Sequence, residues 1–346
     1  MKVTRGDEHE FLGMNIKFNK AKGTVNINMA SYLREAIDES GMEIKRCAAT
    51  PATTNHFDTS KYPLALAVSE AERFRRIVCK LLYVGLRGRP DLLTALSYLS
   101  TRITNPTEGD RRKLKRLLEY LHGTLHLSLT LGADRLGSMH TWVDASYASH
   151  DDMRSHTGGV ISFGTGGILC KSTKQKLNTK SSTEAELIGA SDYLPHTIWA
   201  MNFMAAQGFP VTHSHFAQDN ESAIRLERNG RSSAGQRSRH IHIRHFWITD
   251  RLKHDRIHLA HCPTDEMLAD FLTKPLQGAL FRRFRAVLLG EAHIRTLRSS
   301  PLPSTQERVE ENEYTREAET KETHDSKTIT WSDVVKDQDR KKSSFS

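Results

Sequence analysis

The stretch His140-Thr-Trp-Val-Asp-Ala-Ser-Tyr147 decides the fold. Trp142 and Val143 give it the composition of a β-strand, yet it carries an aspartate, a residue disfavoured in strands. If that strand is central in its sheet, the Asp144 charge needs a cation. Downstream, Gly159-Val-Ile-Ser-Phe163 and Gly167-Ile-Leu-Cys-Lys171 are short β-like runs punctuated by Gly and polar turns, which predicts an antiparallel meander. A long helical segment from Ser182 to about Gln207 comes next, then a strand, His213 to Gln218. A helix from Asn220, another around His240 to Lys253, a strand Arg256 to Cys262 and a final helix from Thr264 complete a mixed α/β order.

Upstream, Phe11-Leu-Gly-Met-Asn-Ile-Lys-Phe18 and Val25-Asn-Ile-Asn-Met29 alternate apolar with polar residues around Lys22-Gly23, the pattern of a hairpin. A helix is predicted from about Ser31 to Ser40, ending at Gly41, and residues 45–69 read as an extended connector. Helical periodicity returns over Glu70 to Leu86 and Asp91 to Ile103. A third helix carries Leu114, Leu117, Leu118 and Leu121 and stops at Gly123. Between Asp110 and Arg116 basic residues interleave with that stripe, as on a phosphate-contacting or simply solvated helix face.

The 346 residues correspond to about two domains plus extras at roughly 150 residues each. Lys plus Arg number 50 and Asp plus Glu 41, a net charge of +9 that favours a polyanionic partner. Residues 291–346 hold 10 basic and 12 acidic residues, so the body over residues 1–290 carries +11. With few large apolar residues, 291–346 reads as a disordered tail, in which Trp331-Ser-Asp-Val-Val335 is an apolar island. No apolar run approaches the ~20 residues of a membrane-spanning helix, and the first residues lack a secretory signal. Cys47, Cys79, Cys170 and Cys262 lie far apart without a Cys-x-x-Cys pair, as structural cysteines of a reducing compartment do.

Four acids stand at element ends in the second half: Asp144, Glu186, Asp219 and Asp270. Each has an ordinary alternative. Glu186 could stabilise a helix N-terminus, but Ser181-Ser-Thr-Glu184 fits a capping box and gives that role to Glu184. Asp219 stands where an N-cap is common, and Asp270 follows Leu268 and Ala269 on an otherwise apolar face. Acids converging from strands and helix ends repel one another, and a divalent oxygen-seeking cation is the usual remedy. Paired Mg²⁺ ions suit phosphodiester cleavage.

Seven segments in order resemble the ribonuclease H domain of copia-type LTR retrotransposon Pol polyproteins. They are Thr141-Trp-Val-Asp-Ala-Ser-Tyr147, Arg154-Ser-His-Thr-Gly158, Lys171-Ser-Thr-Lys-Gln175, Ser181-Ser-Thr-Glu-Ala-Glu186, Asp219-Asn220, Ser238-Arg-His-Ile-His-Ile-Arg244 and Ala269-Asp-Phe-Leu-Thr-Lys-Pro275. Phe11-Leu-Gly13, Leu81-Leu-Tyr-Val84, Arg89-Pro-Asp91 and Tyr120-Leu-His-Gly-Thr124 resemble the segment after the polymerase palm, so the likeness covers residues 8–290.

The resemblance implies an α/β fold: a ribonuclease H-like mixed five-stranded sheet with flanking helices over 138–290. A helical reverse transcriptase thumb and connection remnant, 1–137, precedes it, and the tail follows. It implies that Asp144, Glu186, Asp219 and Asp270 are the catalytic, metal-holding acids, taking two Mg²⁺ ions or Mn²⁺ instead. The implied reaction is hydrolysis of the RNA strand of an RNA–DNA hybrid, leaving a 3′-hydroxyl and a 5′-phosphate. Lys171, Lys174, Lys176, Lys180, Arg239 and Arg244 are candidates for holding nucleic acid, although a solvated lysine explains any one of them equally well. The contrasting reading is an inactive retrotransposon remnant that only binds nucleic acid.

The family's replication cycle implies location in cytoplasmic particles and the nucleus, with the polymerase palm and fingers upstream of Met1. Asp151-Asp152 is superficially similar to a polymerase's paired aspartates but is preceded by Ser-His, as in a surface loop. The sequence departs from the family where Cys170, Arg239 and His242 stand in place of a frequent Trp, Lys and Asp. Pro263-Thr-Asp-Glu-Met267 lacks the His that many cellular ribonucleases H carry there. His240, His242, His245, His254, His258, His261 and Cys262 would be the donors of a zinc site, but the spacing lacks a Cys-x-x-Cys partner.

Overall fold

Leu12 and Gly13 both take positive φ, 51° and 76°, and this pair bends the chain between Phe11 and Met14. Two central residues of that hand match the twist of flanking strands. The expected single strand over Phe11–Phe18 is therefore two, β1 (Glu8–Phe11) and β2 (Met14–Asn19), followed by β3 (Thr24–Asn28). The front is a three-stranded meander and not a hairpin. The computed structural model describes residues 5–59, 62–229 and 242–298.

Helix α1 (Ala30–Glu39) ends before Gly41, whose φ of 63° suits a helix terminus. After the irregular connector come α2 (Val68–Gly85), a 3₁₀ turn at Pro90–Leu92 and α3 (Leu93–Thr101). In α4 (Glu108–Gly123), Thr107 and Asp110 form a reciprocal capping box. The basic run within α4 is largely engaged by the protein. Arg111 pairs with Glu108 at 2.7 Å, and Lys113 donates to the Asp58 carbonyl and the Tyr98 hydroxyl. Strand β4 (Leu129–Ala133), absent from the sequence-based expectation, is short and interrupted by Gly132, so its alternation is faint.

The second half contains β5 (Ser138–Ser146), β6 (His156–Ser162), β7 (Gly164–Thr165) and β8 (Leu169–Lys174). Helix α5 (Ser182–Ala206), β9 (His213–Gln218), α6 (Glu221–Asn229), α7 (His242–His254) and β10 (Ile257–His261) follow. The predicted final helix is broken in two, α8 (Asp270–Thr273) and α9 (Gly278–Leu288), because Pro275 cannot continue α8. Residues 291–298, expected in the tail, include a 3₁₀ turn that buries Ile294 and Leu297; the remainder of the tail lies outside the described residues.

These strands form two five-stranded sheets, an α/β architecture. The first is antiparallel in the order β1-β2-β3-β4-β7. The second has the order β10-β9-β5-β6-β8; β5 pairs antiparallel with β6 and parallel with β9, and β9 pairs parallel with β10. Strand β5 is thus central, the position in which the Asp144 charge needs a cation. Alternation along the strands divides the core: Trp142 and Val160 pack with helices of the front half and with α8 and α9, whereas Val143 and Ile161 pack with α5 and α7.

Two glycines of β6 let helices close on this sheet. A Cβ on Gly159 would lie 2.2 Å from the Tyr193 ring of α5. One on Gly158, which pairs with Asp144, would lie 2.8 Å from the Ala269 carbonyl oxygen and from Thr273. The sheet can therefore receive α8 directly beside Asp144.

Candidate metal centre

Asp144 is 2% exposed near the end of β5, and Asp219 follows β9, the neighbouring parallel strand. Parallel pairing aligns the ends of the two strands, so both side chains reach the same edge of the sheet. Asn220 relieves Asp219 of capping, because its own side chain accepts from the Ala223 N–H at 3.0 Å. Glu186 enters from the first turns of α5 and is 5% exposed.

The capping reading of Glu184 holds in modified form. Ser181 accepts from the Glu184 N–H at 3.2 Å, while the Glu184 carboxylate accepts from the Lys180 N–H at 2.8 Å and not from that of Ser181.

Asp144, Glu186 and Asp219 each offer a carboxylate oxygen within 4.8 Å of the others, and among the described residues this is the group able to hold a metal ion. Glu186 Oε2 is buried without a hydrogen-bond partner. Burial, and then the charges of Asp144 and Asp219, push the Glu186 carboxyl well above its usual range. Burial and the Asp144 charge likewise raise Asp219. Three converging carboxyl groups with one oxygen lacking a donor fit a hard divalent cation, whose ligands are oxygens.

Asp270 stands outside that trio. It is 4% exposed at the start of α8, and its Oδ1 lies 2.6 Å from Lys274 Nζ. Lys274 also approaches Asp144 Oδ2, at 3.8 Å, while the Thr273 hydroxyl donates to that same oxygen. Burial and then the Asp144 charge push the Asp270 carboxyl above its usual range. Burial opposes the Lys274 charge, but the Asp144 and Asp270 carboxylates outweigh it and raise the Lys274 pKa. Thr273 and Lys274 were not singled out as site residues from the sequence. The signal was present in the Asp270-to-Lys274 spacing of four, which brings opposite charges together across a helical turn.

The candidate nucleic-acid-binding residues are dispersed. Lys171 lies 2.7 Å from His196 Nε2, Lys174 pairs with Asp152 at 2.7 Å, and Arg244 pairs with Asp192 of α5. Lys176 and Lys180 are exposed before α5. Arg239 lies outside the described residues. So do His240 and the side chains of His242 and His245, on which the zinc reading depends. Asp151 and Asp152 are exposed between β5 and β6, the former accepting from Thr59. The four cysteines are free thiols, and no helix among the described residues is long and apolar enough to cross a membrane.

The chain is similar to retrovirus-related Pol polyproteins of plant transposons. It is 28% identical over 276 residues to that of transposon TNT 1-94 from Nicotiana tabacum, covering 78% of this chain and 20% of the relative. It is 29% identical over 280 residues to those of transposons RE2 and RE1 from Arabidopsis thaliana, covering 80% of this chain and 19% and 18% of the relatives. The chain thus spans about a fifth of the length of these relatives. No family model and no solved structure matches it.

Proposed function

We propose that this chain, similar over most of its length to a segment of retrotransposon Pol polyproteins, is a ribonuclease H that hydrolyses the RNA strand of RNA–DNA hybrids. The observation that carries the reading is the convergence of Asp144, Glu186 and Asp219 at one edge of a mixed five-stranded sheet, with Glu186 Oε2 buried and unpaired. That sheet agrees with the layout expected of a ribonuclease H domain over 138–290. The front half would be the thumb and connection remnant of a reverse transcriptase whose palm and fingers lie elsewhere in the polyprotein.

Asp144, Glu186 and Asp219 would hold Mg²⁺ or Mn²⁺, and Asp270 would face the same space from α8. The bound metal would supply an acidified water and neutralise charge on the phosphodiester. The protein's own part is positional. Thr273 fixes one oxygen of Asp144 by donating to it, and burial of Glu186 keeps bulk water from that carboxyl. Exposed Lys176 and Lys180, at the entrance to α5, are available to phosphates of the hybrid. Selection of a hybrid over a DNA duplex would rest on contacts to 2′-hydroxyls.

The test is Mg²⁺-dependent cleavage of a labelled RNA–DNA hybrid by the full chain, beside RNA and DNA duplexes. Asp144→Asn should abolish cleavage and leave hybrid binding within about twofold, because it weakens metal coordination at nearly constant shape. Hybrid-specific cutting lost in the variant supports the proposal. Binding without any cutting by the unmodified chain would replace it with the inactive, nucleic-acid-binding reading.

A further inference from the structure

A lysine occupies the fourth side of the carboxylate cluster. Lys274 Nζ sits 2.6 Å from Asp270 Oδ1 and 3.8 Å from Asp144 Oδ2, so one ammonium group serves two buried acids from different elements. This is more than a pair within one helix. Helix α8 ends at Thr273, and Lys274 has left helical geometry, with φ −123° and ψ 137°. Its side chain is 40% exposed, against 3% and 5% for the two acids, so the stem has an open route to solvent. Gly158 admits α8 to this distance, and Thr273 anchors it on Asp144.

We propose that Lys274 is a built-in counter-cation, which neutralises Asp144 and Asp270 when no metal is bound and is displaced from between them as a divalent cation binds. The inference rests on the metal-centre reading above and adds a residue to it. The physical reason is charge: a buried carboxylate without a compensating cation is costly, and Asp144 and Asp270 would otherwise face each other across the site. The ammonium and a divalent ion would also compete for the negative charge of Asp144, which Lys274 approaches and which belongs to the converging trio. Lys274 would therefore stabilise the metal-free fold and weaken metal binding together. A residue that merely packs α8 would alter stability alone.

The experiment is calorimetric titration of the full chain with Mn²⁺, together with its thermal unfolding in a chelator. The proteins compared are the unmodified chain, Lys274→Gln and Lys274→Arg. Lys80→Gln serves as a control, since Lys80 pairs with Glu35 and Glu39 in the front half. Lys274→Gln should bind Mn²⁺ about threefold to tenfold more tightly, as expected for removal of one partly screened charge. It should also melt lower in chelator and gain more from Mn²⁺ than the unmodified chain. Lys80→Gln should keep the original affinity, and Lys274→Arg, which retains the positive charge, should bind Mn²⁺ no more tightly than the unmodified chain.

Equal or weaker Mn²⁺ binding by Lys274→Gln, with clear binding by the unmodified chain, overturns the proposal and leaves the metal centre standing. Failure of both to bind Mn²⁺ removes the metal-centre reading, and this inference with it. If Lys274→Gln does not fold in chelator, folding restored by Mn²⁺ supports the counter-cation role; folding that Mn²⁺ cannot restore overturns it.

Discussion

Two glutamates two residues apart in α5 have different tasks. Glu184 accepts from the Lys180 N–H at the helix entrance, and Glu186, one of whose oxygens is buried and unpaired, converges with Asp144 and Asp219. A cap is worth about 0.5–2 kcal/mol of stability and has no part in metal binding. Glu184→Gln should therefore leave hybrid cleavage within about threefold, because an amide oxygen can still accept at the helix entrance. Glu186→Gln should reduce cleavage by at least about a hundredfold through loss of a metal ligand charge. Side-by-side rates at saturating Mg²⁺ check this, and equal collapse of the two variants would give Glu184 a role in the chemistry. The spacing of Ser181 and Glu184 made the division legible in the sequence. Lys274 was not so legible, since only folding brings its ammonium near Asp144, 130 positions away.

At the scale of elements, β6 determines how close the site can be drawn. It reads His-Thr-Gly-Gly-Val-Ile-Ser and is buried along its whole length, with Gly158 opposite Asp144. A methyl group at Gly158 would meet Ala269 O at 2.8 Å and Leu272 Cβ at 2.9 Å, contacts with a backbone and a core side chain that cannot simply rotate away. Gly158→Ala should push α8 outward at a cost of about 1–3 kcal/mol, the usual range for overpacking. It should also lower cleavage, because Asp270, Thr273 and Lys274 all ride on α8 and its end. Thermal unfolding and cleavage rates measure both effects, and an unchanged melting temperature would show that α8 is free to shift. The sequence contained this glycine within a recognisable motif, but gave no reason for it until α8 was seen lying across β6.

Over the whole molecule, the front helices and the second sheet share one hydrophobic core. Leu96, Leu99 and Leu117 from the front belong to the same buried cluster as Trp142, Phe271, Leu272, Phe281 and Phe284. Polar contacts cross between the halves as well: Thr94 donates to the Phe271 carbonyl, and Thr50 donates to Gln277 at 2.9 Å. Phe57, from the connector, packs its ring 5.2 Å from that of His150 and 5.6 Å from that of His156. Burying one large apolar side chain contributes about 1.5–3 kcal/mol, so exposing several would consume a typical stability of about 5–15 kcal/mol. Residues 138–298 expressed without 1–137 should therefore show no cooperative thermal transition and should aggregate. Co-expression with 1–137 should restore one, whereas a sharp transition in the isolated fragment would show that the shared core is dispensable.

Most of the strand and helix order in the second half followed from residue pattern, because the β-like composition of β5 and the alternation along β9 are local properties. Asp144 and Glu186 were also legible, since a charged residue within an apolar strand, or beyond a satisfied cap, is locally anomalous, whereas Asp219 and Asp270 have ordinary local explanations and stood out only through the family resemblance. Local pattern failed where elements were too short to carry a period, as in β4 and β7, or where a single turn was decisive, as at Leu12-Gly13 and Pro275. Tertiary structure alone decided that β7 leaves the second half to complete the first sheet, and that the two halves share a core. It also divided the acids, gathering Asp144, Glu186 and Asp219 while pairing Asp270 with Lys274. Those outcomes depend on distances between residues far apart in the chain, which burial and charge compensation fix only when the sheets and helices close on one another.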